Sequence, residues 1–94
     1  MIKVAFDIDG CLIDYDGKPQ KDMIELLRYF KQTGCEVCVW SGGGMNYIRH
    51  RIVQLGIEDL VVIRIKGSFI PDIVFDDEDV NLGNINISVR PKMD

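Results

Sequence analysis

Two carboxylates, Asp7 and Asp9, stand two residues apart at the end of the apolar run Val4-Ala5-Phe6, with Ile8 between them and Gly10-Cys11-Leu12 behind them. An apolar run that ends in acids and then a glycine predicts a buried strand whose C-terminal tip delivers acidic groups to a site. If the strand continued through Asp9, alternation would put both carboxylates on one side, where they repel unless a cation lies between them. A hard divalent ion meets that need, since such ions take oxygen donors. In isolation, Asp-x-Asp-Gly also fits a calcium loop or a surface turn that merely ends a strand.

Two further tips carry polar groups. Cys35 to Trp40 is an apolar run that leads into Ser41-Gly42-Gly43-Gly44, and Ile73 to Phe75 is another that leads into Asp76-Asp77-Glu78-Asp79. The Ser41 hydroxyl and the amides of Gly42 to Gly44, at the opening of a helix, suit phosphate oxygens, because a helix N-terminus favours anions. The other reading makes Ser41 an N-cap and the glycines a flexible turn. Glu78 and Asp79 extend the acids either as groups around a metal or as a solvated helix start, where acids suit the dipole.

The elements that must position these groups follow from periodicity. Residues 13 to 19 hold an Asp-Gly turn signal and predict a tight hairpin-like excursion above the first tip. From about 20 to 33, Met23, Ile24, Leu26, Leu27 and Phe30 form one helical stripe closed by Gly34, and Met45, Ile48, Ile52 and Leu55 form a second closed by Gly56. Leu60 to Ile65 and Ile85 to Val89 complete the set of strands, and Arg90 to Asp94 reads as a short tail, with Pro91 ending the strand. Near-continuous apolar strands alternating with helices predict an α/β domain with a parallel sheet covered on both faces. In such a sheet every strand presents its C-terminal end to one edge, so the polar tips converge.

For a phosphate ester this convergence has a coherent chemistry. One aspartate attacks phosphorus and forms an acyl phosphate, the other protonates the leaving oxygen and later takes a proton from water, and magnesium offsets the repulsion between carboxylates and phosphate.

Asp7-Ile8-Asp9-Gly10, then Ser41, then Lys66, then Asp76-Asp77, each behind its apolar strand, resembles the four motifs of the haloacid dehalogenase superfamily in their usual order, over Val4 to Asp77. The resemblance implies a Rossmann-like, three-layer α/β sandwich with a mostly parallel five-stranded sheet and the first strand central beside the fourth. It implies Asp7 as nucleophile, Asp9 as general acid and base, and Ser41, Gly42 and Lys66 as phosphate ligands. It implies a magnesium site made by Asp7, the main-chain carbonyl of Asp9, and Asp76 supported by Asp77. The aspartate at position 9 is the feature of phosphatase-type members as against dehalogenases. Cys11 stands where the family usually has threonine or valine, a packing change. Lys66 has a bland alternative as a solvated charge at a strand end.

Members of the superfamily often carry an inserted cap that selects the substrate. Here the stretches from Asp9 to Ser41 and from Ser41 to Lys66 hold only a hairpin, helices and a strand, so a single capless domain over 1–94 is expected. Its open site would accept a small or macromolecular phosphorylated substrate, or be closed by a second copy or another partner. A receiver-like phospho-acceptor module is an alternative, but Leu60 to Ile65 supplies no aspartate for it. A non-catalytic subunit that binds phosphate or metal is another.

Composition sets the outer bounds. Ninety-four residues with 47% apolar content fit one core, and a net charge of −4 offers no broad nucleic-acid-binding face. No run is long enough to span a bilayer, and Met1-Ile2-Lys3-Val4 enters a strand with no signal-like leader, which predicts a soluble, cytoplasmic-type protein. Cys35 and Cys38 have redox-motif spacing but lie inside an apolar strand, which favours buried, reduced thiols. Trp40 reads as core, and Arg49, His50 and Arg51 as the solvated side of the second helix.

Overall fold

The computed structural model describes residues 1–90. Its strands are β1 (Lys3–Phe6), β2 (Glu36–Val39), β3 (Val62–Ile63), β4 (Ile73–Asp76) and β5 (Ile85–Ser88), and its helices are α1 (Lys21–Gln32) and α2 (Met45–Leu55). The tail expected beyond Arg90 lies outside the described residues. All pairings are parallel, in the order β3-β2-β1-β4-β5. This is the doubly wound order with β1 central, and it differs from the 2-1-3-4-5 order of receiver-type sheets.

Register sorts the strand residues into two cores. Val4 pairs Val37 and Ile73, and Phe6 pairs Val39 and Phe75, so these side chains share one face with Leu27, Ile48, Ile52 and Ile57. Both helices therefore pack on that face. The stripe of α1 supplies it: Leu27 is fully buried, and Met23, Ile24, Leu26 and Phe30 pack beside it. Burial of a side chain of that size contributes about 2 kcal/mol. The Phe6 and Phe75 rings stack at 4.8 Å between centroids. Helix α2 stops where Gly56 takes φ 68°, a left-handed conformation that glycine adopts without a Cβ penalty.

The opposite face is lined by Ala5, Cys38, Trp40 and Val74 and covered by Phe69, Val80 and Leu82. These come from the connections 64–72 and 77–84, in which no helix forms, so the third layer of the sandwich is made of loops. Glu78 and Asp79 accordingly begin no helix; Asp79 accepts a hydrogen bond from the Ser88 hydroxyl instead. Strand β3 is shorter than the apolar run predicts. Leu60 closes a turn onto the Ile57 carbonyl, and the chain leaves the sheet edge past Arg64, whose amide still donates to the Val39 carbonyl. Cys35 and Cys38 project to opposite faces and belong to different cores, and burial pushes the Cys38 thiol up to about 11. No redox pair exists there.

Candidate functional site

The tip of β1 does not continue as a strand. Cys11 and Ile13 both donate to the Ile8 carbonyl, and Gly10 adopts φ 77°, so the chain coils into a turn directly after Asp7. Glycine is required at position 10 on a second ground. A Cβ there would stand 2.6 Å from Asp77 Oδ2. The coil overturns the expectation that Asp7 and Asp9 share one side and repel. Asp7 is buried and Asp9 is exposed, with its carboxylate directed to the Tyr47 hydroxyl at 2.5 Å.

The partners of Asp7 come from β4 and from the loop behind β3. Oxygens of Asp7, Asp76 and Asp77 all lie within 4.8 Å of one another. Lys66 Nζ stands 2.8 Å from Asp76 Oδ2 and 3.5 Å from Asp7 Oδ1. It reaches them from a turn in which Ser68 donates to the Ile65 carbonyl and Gly67 takes φ 80°. Lys66 is therefore no solvated strand-end charge. Asp76 Oδ1 accepts from the Glu78 amide, while Oδ2 is buried and, despite the nearby ammonium, accepts no hydrogen bond of ordinary geometry among the described residues. Asp77 accepts from the hydroxyl of Tyr15, on the hairpin, at 2.6 Å.

Three carboxylates against one ammonium leave the cluster with excess negative charge. Burial, and then the Asp76 charge, push the Asp7 carboxyl up to about 7, against the pull of Lys66. At Asp77 burial also opposes ionisation, but hydrogen bonds led by that from Tyr15 outweigh it and hold its pKa below the usual value. Burial disfavours the Lys66 charge too, and the Asp76 and Asp7 carboxylates more than compensate, raising its pKa. An all-oxygen donor set with surplus negative charge fits a hard divalent cation.

At the tip of β2, Ser41 is buried and its Oγ accepts from the Gly43 amide at 3.1 Å. The N-cap of α2 is Gly44, so Ser41 is not the cap. Gly42 is exposed, and a Cβ added to it would meet nothing within 4 Å, so the space before it is open. The hairpin expected above the site is present. Ile13 bridges Pro19, and Asp14 accepts from the amides of Asp16 and Lys18. One cleft of about 420 Å³, bordered by Asp14, Gln20, Met23 and Val89, includes none of the acidic tips. The acidic tips are marked by their charge and mutual geometry.

Of the residues expected from sequence, the fold brings Asp7, Asp76, Asp77 and Lys66 into one cluster, with Ser41 and Gly42 at the neighbouring tip. The Asp9 side chain stands outside the carboxylate cluster. Sequence reasoning missed Tyr47. Its signal was a tyrosine on α2 with an arginine at i+4, a spacing that puts both on one helix face.

The oxygen donors gather at the C-terminal strand ends of a doubly wound parallel α/β sheet, at its topological switch point, where such folds bind ligands. The family model described as haloacid dehalogenase-like hydrolase matches residues 4–85, and the chain belongs to that family. Comparisons with curated proteins and with solved structures found no significant match.

Proposed function

We propose that this protein is a magnesium-dependent phosphatase that hydrolyses phosphate monoesters through a phosphoaspartyl intermediate on Asp7. The observation that supports the proposal is the Lys66 ammonium set against both Asp7 and Asp76, a cation within reach of a phosphoryl group that Asp7 would attack.

Asp7 attacks phosphorus as the bond to the leaving oxygen breaks, and Asp9 donates its proton to that oxygen. In the second step Asp9 takes a proton from water, the water oxygen bonds to phosphorus, and the Asp7–phosphorus bond breaks. Ser41, Gly42 and Lys66 hold phosphate oxygens throughout. Asp7, Asp76 and Asp77, with the Asp9 carbonyl, would hold the metal. Bound magnesium supplies positive charge that keeps Asp7 ionised and offsets its repulsion of phosphate. A receiver-like module would have a different strand order, and the presence of aspartates at both β1 and β4 favours catalysis over a purely binding role.

The test is phosphate release from a panel of esters, including phosphorylated nucleic-acid ends, with and without magnesium. Asp7→Asn is expected to abolish release, and Asp9→Asn to lower it by about 10²–10⁴. Release that survives Asp7→Asn would eliminate the phosphoaspartyl route.

A further inference from the structure

We infer that Tyr47 is a positioning residue for Asp9, holding one oxygen of that carboxylate so that the other is committed to proton transfer. This inference rests on the phosphatase reading above and deepens it.

The contacts around the Tyr47 hydroxyl fix their own direction. Its Oη lies 2.5 Å from Asp9 Oδ1 and 3.3 Å from Arg51 Nε. A guanidinium has donors only, so Arg51 donates to the tyrosine oxygen, and the tyrosine proton points at Asp9. Oδ1 is thereby an acceptor in either protonation state of the acid. The proton that travels to the leaving oxygen must then be carried by Oδ2.

The tyrosine is itself held on two sides. The Arg51 guanidinium stands 5.3 Å from its ring centroid and donates from Nη1 to Gln54 Oε1. The ring also lies against the glycine turn behind Ser41, where a Cβ on Gly43 would come within 2.9 Å of Tyr47 Cδ2. One side chain thus links the phosphate-binding turn to the acid. The need for such a link follows from the coil after Asp7. Asp9 is exposed and beyond the sheet, and a free carboxylate there would distribute over several rotamers.

Tyr47→Phe keeps the ring against Gly43 and removes only the hydroxyl. The informative comparison is kcat/KM, which reports events through phosphoryl transfer, for an alkyl phosphate and for p-nitrophenyl phosphate. An alkoxide needs a proton to leave, and a nitrophenolate hardly does. The variant is expected to lose about tenfold on the alkyl ester and less than about twofold on the nitrophenyl ester. Equal losses on both esters, or no loss on either, overturn the positioning role. If the wild type with saturating magnesium releases phosphate from neither ester, the phosphatase reading itself falls, and this inference with it.

Discussion

Asp7 is the residue at which folding and chemistry pull in opposite directions. Its carboxyl is pushed up to about 7 from an ordinary 3.8 by burial and by Asp76, so the metal-free folded protein holds a proton that the unfolded chain has released. Between those values the folded state binds more protons, and stability falls as pH rises. Asp77, whose pKa is lowered, works in the opposite sense and loses its contribution as pH drops below the ordinary carboxylate range. The metal-free protein should therefore melt at a lower temperature at pH 8 than at pH 5.5, and added magnesium should narrow the gap by binding the ionised cluster. Asp7→Asn should stabilise the metal-free protein at pH 8 by about 1–2 kcal/mol, less than full linkage gives because Lys66 and solvent screen the charge. Calorimetry at the two pH values checks both, and a wild type more stable at pH 8 would refute the account. The contrast with Tyr47 shows what residue types alone reveal. Acids behind apolar runs announce themselves, whereas Tyr47 acts through a turn at residues 8 to 12 that bends Asp9 toward it, and no periodicity signals that bend.

At the scale of elements, the loop between β3 and β4 decides how firmly Lys66 is presented. The apolar runs of β1, β2 and β4 and the stripes of α1 and α2 were legible because each buries a face with a regular period. The run at β5 was legible from its strand-forming residues, although Ile85 and Ile87 stay exposed at the sheet edge. The connection 64–72 has no period, and its role appears only in space. Phe69 packs on Trp40 at 5.5 Å between centroids, with Lys3 Nζ 5.7 Å from the Phe69 ring, and this anchors the loop to the face that carries no helix. Trp40 Nε1 is buried without a hydrogen-bond partner among the described residues, so the packing on that face must also offset an unsatisfied donor. Phe69→Ala should lower stability by about 2–3 kcal/mol, below the cost at a fully enclosed site because Phe69 is only half-buried. Since Lys66 lies three residues upstream, KM for a phosphate ester should rise several-fold in the same variant. Denaturant unfolding and steady-state kinetics test the two effects. Lost stability with an unchanged KM would mean that the carboxylates alone hold Lys66.

Across the whole molecule, the connections that could rise over the site are short. Residues 7 to 20 form the coil and hairpin, residues 40 to 61 carry α2, and residues 64 to 72 are spent covering the second sheet face. Tyr15 on the hairpin is 63% exposed, and Asp9 faces solvent. The family's four motifs made the order of the tips readable in sequence, but exposure of the site depends on where three unrelated connections run, which only the fold decides. An uncovered site gets its binding energy from the phosphoryl group and its immediate contacts, with little left to select the rest of the substrate. We therefore expect kcat/KM for a phosphorylated oligonucleotide end or phosphopeptide to fall within about tenfold of that for a small alkyl phosphate, a gap of about 1.4 kcal/mol in transition-state binding. A preference for the small ester beyond about a hundredfold would require something to close over the tips. In that event specific activity measured across a range of protein concentrations separates the sources. A rise with concentration identifies a second copy of this chain as the cover, and a flat profile assigns closure to the hairpin that carries Tyr15.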